Sequence, residues 1–206
     1  MVYTAPFETH ADQYEAWFEK NPNVFQSELL AIQQQFGYLP ENIHGIEVGL
    51  GSGHFAEALA IKEGVEPAET MRVKAYEKGI DVMDAKAENL PYKDLHFDFV
   101  LFVTICHLED VAKAFREANR VLKHHGSLIV GFIDKQSPIG REYEQHKSRS
   151  TFYKRARFYT VDEVEQFIKK AQFKEVNYVQ TLFQDFSEIN AIEEPKPGFG
   201  EGSFVV

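Results

Sequence analysis

The sequence predicts an α/β fold: a doubly wound, mostly parallel seven-stranded sheet with an antiparallel C-terminal strand and helices on both faces. Three observations carry this. From residue 42 onward short apolar runs alternate with helix-like segments, the order of a parallel sheet covered on both sides. Two of the runs, 98–105 and 127–133, are almost continuously apolar, as strands buried on both faces should be. A glycine-rich turn, "GLGSG" at 49–53, follows the first run directly.

Taken in order, residues 1–41 form a helical arm. "HADQYEAWFEKNP" and "VFQSELLAIQQQFG" read as two amphipathic helices, the first gathering Tyr14, Trp17 and Phe18. Packing onto the sheet accounts for Phe18, whereas Tyr14 and Trp17 are equally open to ligand contact. Strands are expected at 44–50, 61–65, 80–83, 98–105 and 127–133. Between the last two, Val111, Ala114, Phe115, Ala118, Val121 and Leu122 recur at helical spacing over 110–123, with Gly126 just past the end. A second well-marked helix covers 160–171: Thr160 can cap it, Glu163 can reach back, and Val164, Phe167, Ile168 and Ala171 make its apolar stripe. Two more strand-like runs, 175–183 and 202–206, flank the loop "EEPKPGFGEG" and are expected to pair antiparallel.

With 206 residues and 44% hydrophobic content, the chain is expected to form one domain, 1–206. No run reaches the roughly 18 apolar residues of a membrane span, and the start lacks the basic-then-apolar order of a signal peptide, so a soluble, cytoplasmic protein is expected. Cys106 is the only cysteine, which excludes an internal disulfide and a thiolate metal cluster within one chain. A net charge of −10 opposes binding to a long nucleic-acid duplex.

In the turn after the first strand, glycines let backbone amides and a helix N-terminus approach a ligand closely. The dinucleotide pattern G-x-G-x-x-G/A fails when counted from Gly49 and passes from Gly51 through Gly53 and Ala56, so the pattern decides nothing. Charge discriminates better. Glu47 precedes Gly49 by two residues, where it would repel a pyrophosphate and attract a cation. S-adenosylmethionine, which carries a sulfonium, an ammonium and no phosphate, suits this turn. Glu66, seventeen positions after Gly49, stands where an acid that accepts both ribose hydroxyls is needed. A solvated turn carboxylate is its other reading.

"EVGLGSG", "GVEPAE", "AENLPY", "FDFVLFVTICHLED" and "REANRVLKHHGSLIVG", in this order, resemble the successive motifs of class I S-adenosylmethionine-dependent methyltransferases, in particular the small ubiquinone/menaquinone-type group. The resemblance is strong over about residues 40 to 134 and looser in the flanks. It implies a Rossmann-like sheet in which Glu47, Gly49, Leu50, Gly51 and Gly53 surround the methionine part of the cofactor and Glu66 binds the ribose. Ala87 and Glu88 would lie against the adenine, and Val103 and Thr104 beside the sulfonium. Three positions depart from the family pattern: Lys86 stands where an acid is usual, "KHHG" replaces "KPGG", and "AQF" replaces "AGF", which removes the glycine that usually ends that helix.

Methyl transfer needs alignment and exclusion of water more than a base. Where the acceptor requires a base, the candidates are His107, Asp134 and Tyr14, although a lone histidine at a helix start such as His107 is more often a structural hydrogen-bonder and Asp134 reads equally as a turn cap. The run His107-Leu108-Glu109-Asp110 does not converge as metal ligands do, so no metal is expected. Cys106 is best read as a small buried hydrophobe. Residues 141–159 set six Arg and Lys among Tyr143, Phe152, Tyr153, Phe158 and Tyr159. Such a segment is a solvated face with aromatic anchors, a lid over the site (135–159), or a single-strand RNA contact, the last opposed by the acidic remainder. As a lid it would bring Tyr153 and Arg157, with Tyr14 and Trp17 of the arm, to a small-molecule acceptor, and Arg149 or Arg155 could share in holding an anionic group. Two other functions remain open: an NAD-dependent oxidoreductase and a nucleoside-binding sensor without turnover. Replacing Gly51 by a bulkier residue is expected to abolish cofactor binding, read by calorimetry, while circular dichroism shows the fold retained.

Overall fold

Alternate side chains of the longest apolar strand face opposite ways. Val100 and Phe102 join one buried cluster, while Phe99, Leu101 and Val103 join another across the sheet. This two-sided burial organises the computed structural model, which describes residues 4–206. The arm contains α1 (Ala5–Thr9), α2 (Ala11–Lys20) and α3 (Pro22–Phe36). There follow β1 (Gly45–Val48), α4 (His54–Ala58), β2 (Glu63–Val65), α5 (Glu69–Glu77), β3 (Asp81–Met83), β4 (Phe97–Val103), α6 (Val111–Val121) and β5 (Leu122–Ile133). The remainder is α7 (Pro138–His146), α8 (Val161–Lys170), β6 (Val179–Thr181), β7 (Lys196–Pro197) and β8 (Phe204–Val205).

The strands form one sheet in the order β3-β2-β1-β4-β5-β8-β6-β7. The first five are parallel, and β8 joins β5 antiparallel through Phe132↔Val205 and Ile133↔Phe204. The expected pairing of the last two runs is present in Gln180↔Val205 and Thr181↔Phe204. To the seven expected strands the structure adds β7, a two-residue pairing against β6 inside the Pro- and Gly-bearing loop. α6 and α8 cover the face lined by Ile46, Val48 and Phe102. The opposite face is covered by α3, α4 and the end of α5, through residues such as Ile32, Phe55 and Ala75. The doubly wound, Rossmann-like arrangement read from the sequence is therefore present.

Local chemistry explains where the elements stop. Thr160 and Glu163 form both bonds of a capping box at the start of α8. At its end Gln172 takes the left-handed backbone (φ +73°), doing without the glycine usual there. Gly126 does not terminate α6 as expected. The helix ends at Val121 and the chain turns straight into β5, where "KHHG" forms a bulge: the register with β4 jumps from Phe97↔Leu122 to Phe99↔Ser127.

A carboxylate distant in sequence fastens the arm. Glu8 accepts bonds from the backbone of Glu69 (2.7 Å) and Thr70 (2.9 Å) and from the Thr70 hydroxyl (2.7 Å), so α1 caps the N-terminus of α5. Burial by itself would raise the Glu8 pKa, but the donors from Thr70 and Glu69 hold it below the ordinary 4.5. Its stabilisation is therefore complete above the unfolded-state value and is lost as pH falls through the folded one. Glu8→Ala should cost about 1 kcal/mol in denaturant unfolding at pH 7. The loss should shrink as pH falls below 4.5, and limited proteolysis of the arm should accelerate.

Candidate cofactor and acceptor site

The strand order reverses between β1 and β4, and in open parallel sheets ligands enter the crevice beyond the carboxyl ends at such a point. β1 delivers Glu47 to this crevice and is followed by Gly49, Gly51 and Gly53 at φ +71°, +57° and +82°. The three glycines differ in what they permit. A methyl group at Gly49 would meet nothing within 4 Å, so its bare backbone faces open space. At Gly51 it would lie 2.9 Å from the Tyr14 hydroxyl, and a bulky residue there would displace the arm as well as obstruct the loop. At Gly53 it would strike Ile80 at 2.6 Å and Ala75 at 3.3 Å. Gly53 thus lets α4 begin against α5 and does not line the cavity, a correction to its expected place around a ligand.

Two glutamates flank the turn. Glu47 is 1% exposed, and its Oε2 has no hydrogen-bond partner among the described residues. Burial pushes its pKa up to about 8; the Ala56 amide opposes the rise and the charge of Glu66 adds to it. Glu66 accepts from the amides of Gly51 (3.0 Å) and Ala68 (2.8 Å), one on each oxygen, which leaves each oxygen a further acceptor site. Burial raises it to about 7 against those two amides. Leu50, Ala87 and Glu88 line the same cavity, and Glu88 already accepts from the amides of Glu109 (2.9 Å) and Asp110 (3.0 Å) through one oxygen. At the end of β4, Val103 and Thr104 complete the wall. Thr104 holds φ +58°, a strained region for a β-branched residue, while its amide bonds the Gly131 carbonyl at 2.9 Å.

The cavity, about 500 Å³, runs from this turn into an aromatic chamber. Phe7, Tyr14 and Trp17 enter from the arm, Tyr143, Phe152 and Tyr153 from the segment after β5, and Phe186 from the loop after β6. Tyr14 meets Phe7, Phe18 and Phe152 edge-on, with centroids 6.0, 5.3 and 6.0 Å away. His107 lies between Phe7 (5.1 Å, edge-on) and Tyr153 (5.7 Å, stacked), and burial holds its pKa down to about 4. Its imidazole is neutral at pH 7.

Two expected site residues point elsewhere. Arg157 is exposed and lies outside the cavity, its guanidinium 5.0 Å from the Tyr159 ring centroid. The backbone bond from the Arg157 amide to the Cys106 carbonyl (2.8 Å) fixes this placement. Asp134 also lies outside the cavity: its Oδ1 accepts from the Gln136 amide (3.1 Å) and its carbonyl from the Ser137 hydroxyl (2.6 Å), closing the turn before α7. Sequence reasoning missed Glu28, Ile139, Leu182 and Phe186 of the lining. For Glu28 a signal existed, since it interrupts the apolar stripe of α3 midway between Val24 and Ile32.

The methyltransferase domain family matches residues 46–130, from the first core residue of β1 into β5. A crystal structure of an S-adenosylmethionine-dependent methyltransferase from Thermotoga maritima, described as a possible histamine N-methyltransferase, superposes with a TM-score of 0.93 at 47% identity, covering 98% of this chain and 96% of that one. An uncharacterized Methanocaldococcus jannaschii protein is 39% identical over 200 residues, 97% of this chain and 95% of its own length. The ubiquinone/menaquinone biosynthesis C-methyltransferase of Rickettsia akari is 32% identical over 175 residues, covering 66% of this chain and 71% of that protein. The chain belongs to the class I S-adenosylmethionine-dependent methyltransferases, and S-adenosylmethionine is its expected cofactor. The crevice suits that cofactor chemically: an orphaned buried carboxylate oxygen at Glu47 can accept from an ammonium, and the space beside Gly49 is what a side chain there would fill.

Because burial lifts the Glu47 pKa from 4.5 to about 8, the free protein gains a proton there on folding. Its contribution is present below pH 4.5 and is lost as pH rises towards 8. Glu47→Gln should therefore stabilise the ligand-free protein by at least about 1 kcal/mol at pH 8 and by nearly nothing at pH 4, in denaturant unfolding at the two pH values.

Proposed function

We propose that the protein transfers a methyl group from S-adenosylmethionine to a small molecule enclosed in the aromatic chamber, by in-line displacement. The observation that supports this most directly is the continuity of one cavity from Glu47 and Gly49 to the rings of Tyr14, Trp17 and Tyr153. When bound, the cofactor supplies an electrophilic methyl group on a cationic sulfur. In this reading Glu47 takes the ammonium and the loop amides take the carboxylate. Glu66 takes the ribose hydroxyls, and Ala87 and Glu88 border the adenine. Val103 and Thr104 flank the reacting end.

The chain's own contribution to rate is positioning and dryness. α1 and α2 form a wall over the glycine loop, and the segment 135–159 forms the opposite wall, which we read as the lid of a single-domain enzyme. His107, neutral and enclosed by Phe7 and Tyr153, serves as a polar contact for the acceptor, not as a charged acid. A dinucleotide fits less well, because its pyrophosphate would face the buried Glu47. No described helix is long and apolar enough to cross a membrane.

Gly49→Ala should weaken S-adenosylmethionine binding about ten-fold or more in calorimetry, while thermal unfolding shows a folded protein. NAD should give no binding heat with either protein. Tight NAD binding together with silence towards S-adenosylmethionine would sink the assignment.

A further inference from the structure

Glu28 remains unexplained by the cofactor. It sits on α3, is 7% exposed, lines the cavity, and has no hydrogen-bond or ion-pair partner among the described residues. Desolvation alone pushes its pKa up to about 8. Its charge acts on Tyr14, Tyr143 and Tyr153, which places it among the rings of the chamber. The helix that carries it is pinned: the Ser27 hydroxyl donates to the Asn23 carbonyl (2.7 Å) and accepts from the Glu193 amide (2.8 Å). A partnerless carboxylate on a fixed helix is thus held facing a ring-lined space, at a cost to the fold of the empty protein.

Such a chamber selects for positive charge. Aromatic faces attract cations, and an organic ammonium would give Glu28 the partner it lacks. An anionic acceptor would meet Glu28 and Glu47 together, and the two lysines at the cavity margin are engaged elsewhere, Lys86 with Glu109 (3.8 Å) and Lys147 with Glu144 (2.8 Å). A neutral alcohol or phenol could bond Glu28 but would leave the rings without a cation.

Resting on the methyl-transfer reading above, we infer that the acceptor is a small organic amine and that Glu28 is the residue that binds its nitrogen and holds its proton. Amine and carboxyl share one proton on binding. With that proton on Glu28, the nitrogen lone pair forms the new N–C bond as the methyl C–S bond breaks, and the electron pair of that bond stays on sulfur. The product is a methylated ammonium beside a neutral thioether. Glu28 gives its proton to solvent when the chamber opens.

Trp17, the chain's single tryptophan, lines the chamber and reports its occupancy by fluorescence. With S-adenosylhomocysteine present at saturation, 2-phenylethylamine and 2-phenylethanol, which differ in charge and little in shape, are titrated into the wild type and Glu28→Gln. The wild type should prefer the amine by about ten-fold or more, and the variant should reduce that preference to within about three-fold. Labelled S-adenosylmethionine should yield N-methylated 2-phenylethylamine with the wild type and at least about ten-fold less with the variant. Glu28→Gln should melt no lower than the wild type, since it replaces a buried acid without a partner by an amide of the same size, and should bind S-adenosylmethionine equally well. Equal affinity of the wild type for amine and alcohol, or amine preference unchanged in the variant, would overturn the role of Glu28 while leaving methyl transfer standing. Failure of the wild type to bind S-adenosylmethionine in calorimetry would instead remove the reading on which it rests.

Discussion

The structure depends on a carboxylate held inside it: Glu47 is 1% exposed on a central strand. β1 is hydrogen-bonded on both sides, to β2 and β4, so Glu47 cannot swing outward without breaking a central strand. Its neighbours Ile46 and Val48 point to the α6 and α8 face, which directs Glu47 towards the side covered by α3 and α4. The register therefore commits one acid to the interior. Gly64 opposite Glu47 tightens this further: a methyl group there would lie 2.3 Å from the Glu47 carbonyl, so the two strands approach as closely as they do only because β2 has no side chain at that point. Stability and ligand binding are in tension at this strand, as is common where a fold stores unfavourable electrostatics for use.

The arm is coupled to the same electrostatics through α5. The first amides of that helix would be orphaned, and two acids satisfy them: Glu66 takes the Ala68 amide, while Glu8 takes those of Glu69 and Thr70. One carboxylate thus belongs to the cofactor crevice and the other to α1, and both lie on the positive end of one helix dipole. A shift of α5 would reach the arm and the crevice together. The Tyr14 hydroxyl over Gly51 makes the second link, so the wall of the chamber and the floor of the crevice move as neighbours.

Most of the sheet was legible because it is written locally. Short continuous apolar runs rich in β-branched and aromatic residues suit strands buried on both faces, and the capping box at Thr160 and Glu163 is a contiguous signal that folds as it reads. The boundaries that shifted are those decided by tertiary pairing. "KHHG" has the look of a helix end and becomes a bulge because β4 offers backbone partners to Leu122 and Ser127. The site divides in the same way. Glu47, Gly49 and Glu66 are close in sequence to the strands that carry them, and their positions followed from spacing. Arg157 and Asp134 were misplaced because a basic segment and a strand end give no direction for a side chain; a ring at Tyr159 and an amide at Gln136 captured them first. The Glu8 cap, which spans α1 and α5, has no local signature at all.

In the proposed reaction a positive charge passes from sulfur to the acceptor, and the arrangement of acids bears on that movement. Before transfer the cation sits on sulfur; afterwards sulfur is neutral and the charge lies on the acceptor. In the proposed reading a negative group near the glycine loop takes the cofactor's ammonium, whose charge the reaction does not alter, and so would contribute to affinity about equally before and during transfer. A group that faces the acceptor nitrogen meets charge that grows as the bond forms, and only such differential interactions raise the rate. In the proposal Glu28, 7% exposed on a helix tied to the Glu193 amide through Ser27, is that group. Under the proposal, the burial that raises the Glu28 pKa also lets this carboxyl take the amine's proton, so that the nitrogen lone pair is free when the methyl group is presented, and one physical cause links the cost of the empty site to its use.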